Sequence, residues 1–239
     1  MKNLFNILKF GHRYFRTNKV NFLKNRLTRA ERARFSLNDF QEQVLIGVIL
    51  GDLYMRKSSK VANTRLVFRQ GSVHSAYLLH LYKLFQVFVN TPPAITTIVD
   101  KNTERSRYNL HFSTLALPCF NKYYELFYVD GKKQIPTNIV EYLTPVGLAY
   151  WIMDDGSYTG AGLRLSTNAF DKKDLNLLID ALEKNFSITA TINVQYKDKD
   201  QNTLYITKAQ LPQLKLLVSE YMCPDMMSKL GEVLKPDSE

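Results

Sequence analysis

Two apolar runs, far apart in the chain, each end abruptly in carboxylate, and this pair limits the possible folds more than any other feature. The first reads Leu45-Ile46-Gly47-Val48-Ile49-Leu50-Gly51-Asp52-Leu53, the second Leu148-Ala149-Tyr150-Trp151-Ile152-Met153-Asp154-Asp155-Gly156. Apolar residues all round a helix mean burial on most of its circumference, and the runs are too long for typical strands. An acid at a helix C-terminus adds to the partial negative charge already there, at a cost of ~0.3–1 kcal/mol. A bound cation would reverse that sign. If the two helices pack side by side, Gly47, Gly51 and Ala149 permit close approach. Asp52 and Asp155 then meet at one end of the interface, where like charges and desolvation penalise them unless something positive lies between. Taken singly, each run reads better as a core helix followed by an unrelated surface acid.

The segments around these runs repeat in order. Asn38, with Gln41 three residues on, has the pattern of a capping box that starts a helix, and the apolar stretch Phe40 to Met55 follows. Strands are predicted over Thr64 to Gln70 and Ser106 to Ser113, with a helix from His74 to Val89 between them and another from Leu115 to Val129, stopped by Asp130-Gly131. The second half opens with a helix from Thr144 to Asp155 and a turn through Gly156, Gly160 and Gly162. It continues with a strand from Leu163 to Thr167, a helix from Lys172 to Phe186, strands over Thr189 to Lys197 and Thr203 to Thr207, and a helix starting near Leu211. The order indicates a diverged tandem duplication, with a basic extension at 1–35, a first repeat at 36–140 and a second at 141–239.

Composition narrows the class. Of the 239 residues, 45% are apolar and 23% charged, the balance of an ordinary globular chain. No stretch approaches the ~18 consecutive apolar residues of a membrane span, and the mean hydropathy is −0.23. Two cysteines, Cys119 and Cys223, build neither a disulfide framework nor a Cys-rich zinc site. The net charge of +10 is concentrated: residues 1–34 carry ten basic side chains against Glu31 alone, a net of +9. That segment reads as an organellar targeting peptide, a phosphate-binding arm or a solvated helix.

The polar faces of the predicted strands carry an unusual set. Arg65, Arg69, Arg107, Asn109, His111, Arg164, Asn193, Gln195 and Lys197 are side chains able to read base edges in a major groove. A solvated sheet face would be served as well by Thr, Lys and Glu.

Taken together, the two runs resemble the paired motifs of single-chain LAGLIDADG homing endonucleases. The second, preceded by Leu143-Thr144-Pro145, is the more specific; the first is degenerate, with Leu53 where the family has its final Gly. Lys132-Lys133-Gln134-Ile135-Pro136-Thr137-Asn138 and Met226-Met227-Ser228-Lys229-Leu230 are similar to the yeast mitochondrial intron-encoded branch. The resemblance covers residues 36–232 and implies an α+β fold: two αββαββα-type subdomains about a pseudo-twofold axis, each with a saddle-shaped DNA-binding sheet. It places the metal-binding acids at Asp52 and Asp155, with further oxygen ligands from the carbonyls of Gly51 and Asp154. The basic residues near the scissile phosphates fall at Lys133 and Lys229, 81 and 74 residues after their acids. Oxygen ligands suit Mg²⁺, with Mn²⁺ as a substitute. The implied activity is a staggered double-strand DNA break with 3′ overhangs at a long asymmetric site, by a monomer in the mitochondrion. The alternative on the same fold is an RNA maturase that binds intron RNA and assists group I splicing.

Overall fold

The computed structural model describes residues 27–99, 106–196 and 201–232. Most of the basic extension and Lys197 lie outside the described residues. In chain order the elements are α1 (Arg29–Ala33), α2 (Asp39–Leu50), β1 (Tyr54–Arg56), β2 (Arg65–Gly71), α3 (Ser75–Phe85), β3 (Ala94–Val99), β4 (Ser106–Ser113) and α4 (Asn121–Phe127). There follow β5 (Tyr128–Val129), β6 (Lys132–Lys133), α5 (Pro145–Asp155), β7 (Gly156–Tyr158), β8 (Gly162–Ser166) and α6 (Lys172–Phe186). Then come β9 (Ala190–Tyr196), β10 (Gln201–Thr207), α7 (Leu211–Val218) and a 3₁₀ segment, Pro224–Leu230. The class is α+β.

Among the described residues, contacts form two compact units, one drawn from 27–36 and 54–121, the other from 37–53 and 122–232. The packing units thus differ from the sequence repeats, because the first apolar run, α2, packs in the unit that contains the second.

In the first unit an antiparallel sheet has the order β1-β2-β4-β3. Alternation puts Leu66, Phe68, Leu110 and Phe112 on one face, all buried. Phe68 stacks on Phe112 at 4.5 Å between centroids, and Phe85 and Tyr82 of α3 close over the pair at 5.1 and 5.4 Å. The opposite face follows from the register: Arg56 beside Arg65, Arg69 beside His111, and Asn109 between Gly71 and Thr96.

In the second unit α2 and α5 pack together, and both start on local caps. The Gln41 backbone N–H donates to Asn38 Oδ1 at 2.8 Å while the Asn38 N–H donates to Gln41 Oε1 at 3.1 Å, the reciprocal box expected from the sequence. Thr144 caps α5 through the Gly147 N–H, with Pro145 at the first position, where a missing N–H costs nothing. Val44 to Leu50 of α2 are buried without a break. At the crossing, a Cβ on Gly47 would lie 2.2 Å from the Gly147 carbonyl oxygen, so Gly47 is required for this approach. The sheet beside these helices has the order β7-β8-β10-β9. That is the order of the first sheet with each strand replaced by its repeat counterpart. Leu163, Leu165, Leu204 and Ile206 form its buried face. Helix α6 matches its predicted bounds, capped by Asp171 and ended by Ser187 in the left-handed conformation at φ 53°.

Several expectations change. Helix α2 stops at Leu50, and Tyr54–Arg56 joins the sheet as β1. The stretch Leu115 to Val129 is a shorter helix, α4, followed by a hairpin. Asp130 and Gly131, both with positive φ (49° and 77°), form its two-residue turn. The glycine-rich turn after α5 is itself a hairpin, β7–β8, turning at Gly160 (φ 81°). Strand β3, which no sequence signal marked, lies at a sheet edge.

Candidate active site

All the residues expected to perform chemistry lie in the second unit, at the C-terminal ends of α2 and α5. Gly51 allows the two ends to close, since a Cβ there would sit 2.4 Å from Asp154 Cβ. The Asp52 backbone N–H donates to Asp154 Oδ2 at 3.0 Å, tying the last turn of α2 to α5.

Two lysines enter from distant parts of the chain. The β5–β6 hairpin presents Lys133, whose Nζ donates to the Gly51 carbonyl at 2.9 Å. The 3₁₀ segment Pro224–Leu230 presents Lys229, whose Nζ donates to the Asp154 carbonyl at 2.8 Å. Each lysine therefore meets the carbonyl of the residue just before a motif acid, and the repeat is preserved down to these two bonds. Both carbonyls were expected to face a cation. Each accepts from an ammonium here and keeps a second lone pair.

The electrostatics are strained toward positive charge. Burial, followed by repulsion from Asp52, pushes the Asp155 carboxyl up to about 7, against the opposing pull of Lys133 and Lys229. Burial holds the Lys133 ammonium below its ordinary value, an effect that Asp155, Asp154 and Asp52 partly offset. Lys229 is lowered by burial too, with Asp154 first among the carboxylates that oppose it. Three carboxylates thus face two lysines whose burial already weakens their hold on a proton. Hard oxygen donors, a like-charge pair and a carboxyl that resists ionisation together fit a divalent cation.

The sheet residues divide by unit. Arg65, Arg69, Arg107, Asn109 and His111 lie on the open face of the first sheet, where Thr96 Oγ1 is 3.2 Å from His111 Nδ1. Arg164 and Asn193 lie on the open face of the second, with Tyr205 beside Arg164 and Thr203 beside Asn193, while Gln195 is exposed at a β-bulge that leaves it without a register partner. Arg56 joins the open face of the first sheet as the partner of Arg65; it stands one residue past the apolar stretch Phe40 to Met55, and no local signal marks its three-residue strand. Arg65 is lowered by burial and then by the nearby Arg56 and Arg32, so three guanidiniums crowd one edge of this unit. Asp154 was passed over as a side chain, because a contact to a backbone N–H in another repeat leaves no mark in local sequence.

The chain as a whole resembles known proteins. The model of the LAGLIDADG DNA endonuclease family matches residues 42–214. The chain belongs to that family. It is 36% identical over 200 residues to the cytochrome b mRNA maturase bI2 of Saccharomyces cerevisiae, a match covering 80% of this chain and 47% of that protein. It is 33% identical over 196 residues to the bI2 maturase of Debaryomyces hansenii, covering 80% and 74%. The solved structure of the homing endonuclease I-WcaI bound to its DNA recognition sequence superposes with a TM-score of 0.79 at 27% identity. It covers 89% of this chain and 96% of that one.

Proposed function

We propose that this protein is a site-specific homing endonuclease. It makes a staggered double-strand break with 3′ overhangs in a long asymmetric DNA target and so promotes intron homing. The observation that carries the reading is the doubled set at the helix ends: one acid and one half-buried lysine from each repeat, drawn together around the α2–α5 contact. One set serves each strand. Asp52, Asp155 and the remaining lone pairs of the Gly51 and Asp154 carbonyls would hold Mg²⁺, or Mn²⁺ in its place. The cation supplies Lewis-acid stabilisation of charge on the cut phosphate. Lys133 and Lys229 hold their protons at Nζ beside the acids, where they would orient the attacking water or stabilise charge developing on the phosphate, and their lowered proton affinity suits them to donate a proton to the departing oxygen. The open sheet faces supply base readout: Arg65, Arg69, Arg107, Asn109 and His111 in one half-site, Arg164, Asn193, Gln195 and Lys197 in the other. The remaining +9 segment adds sequence-independent phosphate contacts. The same reading takes the repeats as 36–140 and 141–239, the active form as a monomer and the compartment as the mitochondrion.

The test is incubation with a library of intron-insertion-site DNA, with Mg²⁺ or with EDTA. Linear product with 3′ overhangs in Mg²⁺ alone supports the reading, and uncut DNA under both conditions defeats it. A second reading, a maturase binding intron RNA, is favoured by the names of the two bI2 relatives. Splicing of a group I intron accelerated by the protein, with no DNA cleavage, would decide for it.

A further inference from the structure

The two helix ends that form the site differ in backbone as well as in one side chain: α2 stops at Leu50, so that Asp52 lies beyond the Gly51 cap, whereas Asp155 is the last residue of α5. Before Asp52 stands Gly51, which offers its carbonyl to Lys133 and has no side chain. Before Asp155 stands Asp154, which offers its carbonyl to Lys229 and also a carboxylate. That carboxylate occupies the space above Gly51, with Oδ2 2.5 Å from where a Cβ on Gly51 would be. It accepts the Asp52 backbone N–H at 3.0 Å. The neighbouring amides bond back to α2, Gly51 N–H to the Gly47 carbonyl at 3.2 Å and Leu53 N–H to the Val48 carbonyl at 2.9 Å. Thus Asp52 leaves the helix with its own amide anchored on the other repeat.

We infer that Asp154 is a positioning residue that orients Asp52, and that the anchoring runs one way. Asp52 depends on a side chain from the second repeat. Gly51, having none, returns no equivalent support to Asp155. The two acids are therefore not interchangeable, and loss of the Asp154 carboxylate impairs the strand served by Asp52 more than the strand served by Asp155. A charged acceptor strengthens this bond, because hydrogen bonds to carboxylates are stronger than those between neutral groups. An amide oxygen at the same place retains acceptance with less strength.

This inference rests on the endonuclease reading, and its test separates the two. Asp154→Ala removes the acceptor, and Asp154→Asn keeps one. In protein free of divalent metal, hydrogen exchange at the Asp52 amide should quicken by about tenfold or more in Asp154→Ala and much less in Asp154→Asn. With DNA labelled separately on each strand, Asp154→Ala should slow one strand about tenfold more than the other, so that nicked DNA accumulates. Asp154→Asn should bring the strand ratio back toward that of the wild type. A purely structural role would slow both strands by the same factor and give no recovery with Asn; that result overturns the inference. Unchanged exchange at Asp52 in Asp154→Ala overturns it as well. If the wild type cuts no DNA, the nuclease reading fails, and amide exchange alone decides on the anchoring.

Discussion

The two sheets share a strand order and differ in the surface they leave open. Their buried faces are alike: Leu66, Phe68, Leu110 and Phe112 in one, Leu163, Leu165, Leu204 and Ile206 in the other. The open faces have diverged. The first presents Arg56, Arg65, Arg69, Arg107, Asn109 and His111, with cationic groups in most rows of the register. The second presents Ser157 and Tyr205 flanking Arg164, then Ser166 and Asn193, so hydroxyls and amides dominate. Packing density holds one face of a duplicated sheet nearly constant, since a lost methylene is felt in the core. A solvent face carries no such constraint and is free to follow the ligand. On the proposed function, this divergence is where readout of an asymmetric site is built. Conservation of the site is the opposite case, where both repeats keep an acid, a carbonyl and a lysine.

The largest expected effect tests that sameness. Asp52→Asn and Asp155→Asn should each abolish double-strand cleavage, by about a thousandfold or more as for loss of a dominant electrostatic group, while gel-shift affinity for DNA survives. Wild-type nicking and cutting rates in either variant would remove the acids from the mechanism. Next come the lysines. Lys133→Met and Lys229→Met should slow cleavage about 10²-fold, the lower range for a positioned acid or base, with base preference unchanged on a randomised target library. A shift in preference would move these residues from chemistry to readout.

The sheets should break the comparison in the other direction. Substituting Arg107, Asn109 and His111 should relax preference in one half-site only, and substituting Asn193 and Gln195 in the other only. Each lost bidentate contact is worth roughly 1–3 kcal/mol of discrimination. If both groups altered the same base pairs, the assignment of one sheet to each half-site would fall.

The smallest effect concerns stability without metal. The Asp155 carboxyl, raised to about 7 in the fold, binds its proton more tightly folded than unfolded. Stability is therefore lost as pH rises from about 4 through about 7, by about 1–3 kcal/mol after allowance for partial exposure. Urea unfolding at pH 5 and pH 8 should show this slope in the wild type and a smaller one in Asp155→Asn. Added Mg²⁺ at pH 8 should recover stability in the wild type alone. An equal slope in both would place the titration elsewhere.

Much of this architecture is local enough to be written in short stretches of sequence. The Asn38–Gln41 box, Thr144-Pro145 and the amphipathic stripe Leu175, Leu178 and Leu182 all act within a few residues, so α2, α5 and α6 were legible in position and type. Strand β4 was legible from its alternation. Errors fell where one local signal supports two outcomes. Asp130-Gly131 ends a helix or turns a hairpin, and pairing of Tyr128 with Lys133 selects the hairpin. Tyr54–Arg56 is apolar enough to prolong α2 and becomes a strand because β2 is there to pair with it. Strand β3 lies at a sheet edge with mostly exposed side chains, so no hydrophobic period announces it.

The sequence by itself determined the two capped apolar helices, the acid at the end of each, and the alternation that gives every sheet one wet face. These follow from neighbours in the chain, whose interactions need no knowledge of the fold. Tertiary structure alone decided that Gly47 and Gly51 would bring those helix ends together, and that Lys133 and Lys229 would meet the Gly51 and Asp154 carbonyls. It also decided that the Asp154 carboxylate would hold an amide 102 residues away. Such contacts depend on which surfaces the core presses together, and a carboxylate, a lysine or a glycine has no local preference that records its partner.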